Sequence, residues 1–278
     1  MRVAVITDST ASLPPETARQ WGIRVVPLRI RLGDRLADEV SVPPSTVVEA
    51  MRADRGVATE PPDPAAFYWT YRAAFDDGAD AVVSIHISAR QSQTVEHARQ
   101  AAARLRAPVH VLDSRFMGMA LGYAVTGAAR VAGAGGDPHR VVEAVRRRLT
   151  GSATFVHVQT LDHLHRGGRI GAAAHLVGSA LAIKPLLTMR DGQIAPLDRA
   201  FGSGRALRKL VDTTAAAAGD RPVDIAVEHV GARAEAESVM GDLRSRIPHV
   251  REHLVTEASS AIAVHTGPGT LSVTVSPA

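Results

Sequence analysis

The chain has 278 residues, a formal net charge of +4, 45% hydrophobic residues and no cysteine. That length accommodates two domains or one large α/β domain, and no apolar run reaches the roughly 18 residues that a membrane span needs. The lack of cysteine excludes a disulfide scaffold, a zinc-thiolate centre, an iron-sulfur cluster and a cysteine nucleophile.

An isoelectric point of about 10.1 comes from arginine, because only Lys184 and Lys209 are lysines. The arginines are interleaved with acids, and the densest group, Arg146 to Arg148, sits where a helix end favours cations. With no nucleic-acid-binding motif present, no nucleic-acid partner is expected. The opening "MRVAVITDST" reads as a strand and a turn rather than a secretory signal, so the expected residence is cytoplasmic.

Short β-branched runs at 2–7, 22–30, 80–87 and 108–113 read as strands. Helical spacing occupies 14–22, 44–53, 64–78 and 91–106, and two further helices follow near 116–133 and 137–149. This alternation predicts a largely parallel sheet covered by helices. After "RRRLTG" the pattern restarts, which predicts domains at 1–150 and 151–278.

The second half reads as strand "ATFVHV", a short helix to "RGG", an Ala-rich helix, and strands "LAIKPLLTM" and "QIAPL" joined by the hairpin signal Asp191-Gly192. A helix over 203–218, a strand over 223–230, a helix over 232–247 and strands near 250–255, 261–265 and 271–275 complete a mixed sheet. The fold class is thus two α/β domains.

Ligands in open α/β sheets bind where strands end. The segment Thr7-Asp8-Ser9-Thr10, the segment from Ser88 to Thr94, Asp113 and Ser114, and His265 and Thr266 stand at such ends, and "ATEPPDP" at 58–64 opens a helix. Ser88, Ser92 and Thr94 suit either an anion seat or a helix cap. Asp8 suits a ligand contact or a loop-ordering role, and "RGGRI" at 166–170 an anion site or a helix end. His157, His163 and His165 match no standard zinc spacing, so no metal is expected. A triad of Ser92, His265 and Asp8 would lack the G-x-S-x-G elbow, and no phosphate-binding glycine loop occurs.

"VAVITDSTASLP", "IRVVPLRIRLGD", "HVLDSRFMGMALG", "TLDHLHRGGRI", "LAIKPLLTMRDGQI" and "HTGPGTL" resemble, in order and spacing, the motifs of the DegV family of bacterial fatty-acid-binding proteins. The resemblance spans nearly the whole chain. It implies a long-chain fatty acid held in a tunnel between two α/β domains, with the carboxylate presented to a separate ATP-dependent fatty-acid kinase. It also implies a carrier with no cofactor and no catalytic residue of its own.

Position by position, Thr59 matches the threonine of the family's T-S-Q-P-S-P segment, Ser92 the second serine of I-S-S-x-L-S-G-T-Y, and His265 the histidine of H-T-G-P-G. These three would hold the carboxylate, with Arg169 at a rim facing the kinase. Asp8, Ser9, Thr94, Thr266 and Gly267, in the same loops, are further candidates for the ligand site or a partner-facing surface.

Four positions depart from the family's pattern. Glu60 stands in place of serine, Gln93 in place of glycine, Val95 in place of tyrosine, and Phe201 in place of an arginine. A carboxylate at Glu60 would repel a bound anion unless it points away or an arginine intervenes. The alternative reading is an acyl-ester hydrolase or transferase acting through Ser92 and His265.

Overall fold

The computed structural model describes residues 1–176 and 183–278. β1 (Val3–Asp8), α1 (Pro15–Gln20) and β2 (Arg24–Val26) begin a parallel sheet, and Pro27, which has no amide to donate, ends β2. β3 (Arg29–Leu32) then turns into β4 (Arg35–Asp38). After α2 (Pro44–Arg52), β5 (Val57–Glu60) pairs with β3 on its other edge. The single strand expected over 22–30 is therefore two strands in two sheets, and the small antiparallel sheet β4-β3-β5 is an addition to the expected architecture.

Asp63 caps α3 (Pro64–Asp76) by accepting the Ala65 amide at 2.7 Å. β6 (Ala81–His86), α4 (Thr94–Ala102) and β7 (Val109–Asp113) complete a parallel sheet of order β2-β1-β6-β7. Alternation places Val3, Val5, Val83 and Ile85 on one face, against α5 (Met119–Gly133) and α6 (Pro138–Gly151). Ile6 and Val82 face the other way, onto Phe67 and Tyr71 of α3 and Ala98 of α4. Both faces are covered, so every residue of β6 is buried.

The second half contains β8 (Ala153–His157), α7 (Asp162–Arg166), β9 (Ile183–Arg190), β10 (Gln193–Phe201), α8 (Ser203–Ala218), β11 (Val223–His229), α9 (Arg233–Arg246), β12 (Val250–Glu257), α10 (Ser260–Thr266) and β13 (Leu271–Pro277). Its six strands run in the order β10-β9-β8-β13-β11-β12, with β11 and β12 parallel and the other pairs antiparallel. The mixed sheet follows from the β9–β10 hairpin, which the Asp191-Gly192 turn had predicted. Where an Ala-rich helix was expected after "RGG", Gly171–Leu176 forms a 3-10 turn, and the rest of that stretch, with the first two residues of "LAIKPLLTM", lies outside the described residues.

The segment expected as a strand over 261–265 is helical. Ser259 Oγ accepts the Ile262 amide at 3.2 Å and Glu39 Oε1 accepts the Ala261 amide at 2.8 Å. An Ala-Ile-Ala-Val run suits either structure, and the cap decides. Helix α10 packs onto the small sheet and α2, where Leu28, Ile30 and Val47 meet Ala261, Ala263 and Val264 in one buried cluster.

Arg148 also joins the halves. It pairs with the buried Asp224 of β11 and stacks over the Tyr123 ring, a tie that the helix-end reading of 146–148 did not anticipate. Among the described residues, no helix is long and apolar enough to cross a membrane.

Candidate functional site

A cavity lies where β5, the loop before α4, the loop after α7 and helix α10 converge. Its polar lining includes Thr10, Thr59, Glu60, Gln91, Ser92, Arg169, His265 and Thr266. A second cavity adjoins it, with Met117, Leu164, Ile194, Ile262 and Thr266 lining both. Val156, Leu187 and Met189 carry that apolar lining deeper, over the mixed sheet.

His265 is the centre of the polar end. Its Nε2 lies 2.7 Å from Thr59 Oγ1, while Nδ1 is buried with no hydrogen-bond partner among the described residues. Nδ1 lies against Gly167, and a Cβ at that position would overlap it. Burial, reinforced by the Arg169 charge, lowers the imidazole pKa to about 4. The ring is neutral at physiological pH.

Arg169 donates to Gln91 O at 3.2 Å and to Gly167 O at 2.7 Å. It lines both the cavity and an outer groove, as do Thr59 and His265. Arg55, Arg166 and His163 add positive or polar surface to that groove, where Asp54 also lies, 4.0 Å from Arg166 Nη1. The polar end therefore opens outward into a charged groove in which, among the described residues, the arginines outnumber the single carboxylate.

Ser92 Oγ lies 2.8 Å from Thr94 Oγ1 and accepts the Thr94 amide at 3.3 Å, at the start of α4. Ser92 faces the cavity; Thr94 is buried behind it and is not part of the lining. Ser88 is spent elsewhere, donating to Gly192 O at 2.7 Å. Glu60 lines the cavity, but its carboxylate pairs with Arg31 and lies 3.8 Å from Arg29 Nη1, so arginines do intervene.

Asp8, Ser9 and Gly267 lie outside the lining. Asp8 is fully buried, accepts the Ile87 amide at 2.9 Å and the Thr10 amide at 3.0 Å, and stands 3.0 Å from His86 Nδ1. Ser9 accepts the Leu28 amide at 2.9 Å and donates to Glu39. Both order the loops that carry the site. Gly267 ends α10 against the ring of His163.

The triad candidates have separate partners: Ser92 pairs with Thr94, His265 with Thr59 and Asp8 with His86. Among the described residues, no group of three or more His, Asp and Glu side chains is placed to hold a metal ion. Gln93 makes no side-chain cap on α4, and Phe201 is 64% exposed at the end of β10.

Thr10 and Gln91 come from the strand-end segments that the sequence singled out, whereas Met117, Leu164, Ile194 and Ile262 were missed as cavity lining, because apolar wall residues look like core. Sequence reasoning also missed Glu228, a buried carboxyl in the wall of the inner cavity. The one available signal was a charge inside the otherwise strand-like run "VDIAVEHV".

A parallel α/β unit and a mixed α/β unit, enclosing a cavity that is polar at one end and apolar along its length, define an α/β protein built around an amphipathic pocket. The model of the DegV family, described as uncharacterised protein, matches residues 2–278, and the chain belongs to this family. A DegV domain-containing protein of Streptomyces coelicolor is 42% identical over 275 residues, covering 99% of this chain and 98% of its own. Among solved structures, the chain is similar to a DegV family protein of Thermus thermophilus described by its fatty acid binding, with a TM-score of 0.95, 30% identity and 100% of both chains covered. It is likewise similar to DegV of Bacillus subtilis, described as a fatty acid binding protein, with a TM-score of 0.89, 27% identity and 100% of both chains covered.

Proposed function

We propose that this chain is a cytoplasmic, cofactor-free carrier that binds a long-chain fatty acid between two domains, 1–150 and 151–278. The single observation that carries this reading is the adjacency of two cavities, which have five lining residues in common: one has a polar mouth at Thr59, Ser92 and His265, and the other is largely apolar. The relatives whose names record fatty-acid binding support it.

The energetics favour retention without covalent chemistry. Burying about 14 methylenes at roughly 0.8 kcal/mol each contributes on the order of 11 kcal/mol before ordering costs. The polar groups then need only fix one end. Thr59 and Ser92 offer hydroxyl donors to a carboxylate, and the neutral His265, protonated on Nε2, then donates to Thr59 Oγ1. Arg169 supplies positive charge while anchored to two main-chain carbonyls.

Delivery to a separate ATP-dependent kinase is the second half of the proposal. Thr59, Arg169 and His265 line both the cavity and the outer groove, so a carboxylate seated at Thr59 is approachable from outside. Arg55 and Arg166 give that groove the charge to receive a phosphoryl group or an acidic partner surface. The separate hydrogen-bond partners of Ser92, His265 and Asp8 weigh against the hydrolase alternative.

Native mass spectrometry of the purified protein, before and after denaturing extraction, tests the binding. A co-purifying fatty acid that is lost in His265→Ala supports it, whereas a lipid-free protein that also fails to take up added octadecanoic acid refutes it. Delivery is tested by adding a fatty-acid kinase and ATP and trapping acyl phosphate as its hydroxamate. No product from a loaded carrier would refute delivery alone.

A further inference from the structure

Glu228 lies on β11 opposite Ser272 of β13, is 2% exposed, and stands in the wall of the inner cavity. Its Oε2 accepts the Met119 amide at 2.9 Å at the start of α5. The carboxyl packs so closely on Gly118 that a Cβ there would crowd both of its oxygens. Oε1 has no hydrogen-bond partner within bonding distance among the described residues; the Ser12 hydroxyl, beside the carboxyl, accepts the Ser259 amide at 3.1 Å.

A buried carboxyl oxygen left unpaired costs about 1–3 kcal/mol, so a folded protein satisfies it or uses it. The threonine hydroxyls of the same wall are engaged elsewhere, Thr266 Oγ1 donating to Ile262 O at 3.0 Å. Thr188 Oγ1 donates to Thr154 O at 2.8 Å, Thr270 Oγ1 donates to Thr266 O at 2.9 Å, and Thr154 Oγ1 lies 3.2 Å from Thr274 Oγ1. A cavity meant only for methylenes would have an apolar side chain at 228. This one holds an unpaired polar atom in an otherwise largely apolar wall.

We infer that the inner cavity accepts an acyl chain carrying a hydroxyl group, and that this hydroxyl hydrogen-bonds to Glu228 Oε1. A hydroxyl both donates and accepts, so it pairs with the carboxyl in either protonation state. The inference rests on the carrier reading above, in which the acid's own carboxylate sits at Thr59 and its chain runs inward.

The test uses delipidated protein and two probes: octadecanoic acid, and a panel of monohydroxylated octadecanoic acids with the hydroxyl in mid-chain or at the chain end. Competition is read by native mass spectrometry and calorimetry. At least one hydroxylated isomer is expected to bind about tenfold tighter than octadecanoic acid, the worth of one hydrogen bond. Glu228→Met should invert that preference, weakening the hydroxylated acid and tightening the plain one. Glu228→Gln, which keeps volume and a carbonyl acceptor, should retain a reduced preference and covers the case in which Glu228→Met does not fold.

Octadecanoic acid binding as tightly as every isomer, or a preference that survives in both variants, would overturn the inference and leave the carrier reading intact. If neither class of acid binds, the carrier reading fails and takes this inference with it.

Discussion

Thr59 and His265 are 206 positions apart in sequence, yet Thr59 Oγ1 stands 2.7 Å from His265 Nε2, joining the edge of the small antiparallel sheet to helix α10. Removing the hydroxyl leaves a buried ring nitrogen without a partner. Thr59→Val is expected to lower stability by about 1 kcal/mol and fatty-acid affinity about tenfold, read by thermal unfolding and calorimetry. Unchanged affinity would place the carboxylate elsewhere.

Gly167 separates ligand geometry from folding. Its φ of -77° suits any residue, so alanine is acceptable to the backbone, but a Cβ would collide with His265 Nδ1. Gly167→Ala is expected to keep a native circular dichroism spectrum while reducing fatty-acid affinity at least as much as Thr59→Val. A variant with full affinity would show that the imidazole position is immaterial to binding.

Glu60 and Arg31 form an ion pair at the cavity wall, each partly exposed. Without the guanidinium, the Glu60 carboxylate faces the anion seat uncompensated. Arg31→Ala should therefore weaken fatty-acid binding several-fold, and adding Glu60→Gln should restore most of it. Additive losses in this double-mutant cycle would remove Glu60 from the account.

Buried groups set the pH dependence of stability in two opposite directions. Burial lowers the His265 and His157 pKa values to about 4 from 6.5, so their contribution is full above 6.5 and is lost as pH falls toward 4. Burial raises Glu228 to about 7 from 4.5, offset in part by the Met119 amide and the Ser12 hydroxyl. Its folded form binds the extra proton between those values, so stability falls as pH rises from 4.5 through 7, by on the order of 3 kcal/mol. Denaturant unfolding of Glu228→Gln across this range should show a flatter neutral limb. His265→Gln should reduce the acid-side loss.

The parallel sheet and its helices were legible because β1, β6 and β7 follow an alternating or continuous apolar pattern of ordinary length. The small antiparallel sheet was not, because β4 and β5 are four residues each and half-exposed, and Pro27 divides a run that looks continuous. His265 was singled out by its motif but placed on a strand. The deciding contacts come from Ser259 and from Glu39, a residue 222 positions from the Ala261 amide it accepts. Asp8 was legible as important and not as what it is, since its partner His86 lies 78 positions away on a neighbouring strand. Glu228 was invisible because burial is a property of the folded chain.

The β9–β10 turn meets the first half chiefly through its own carbonyls: Gly192 O receives Ser88 Oγ at 2.7 Å and Gln91 Nε2 at 3.4 Å, and Asp191 O receives Arg90 Nη1 at 3.5 Å. On the turn's side these acceptors belong to the main chain, but Gly192 is itself fixed, because its φ is +78° and a Cβ there would overlap Ser88 Oγ. The inner cavity wall shares none of these bonds. The contacts that join the two halves at this turn are therefore separate from the residues around Glu228, and a substitution in one set leaves the other in place.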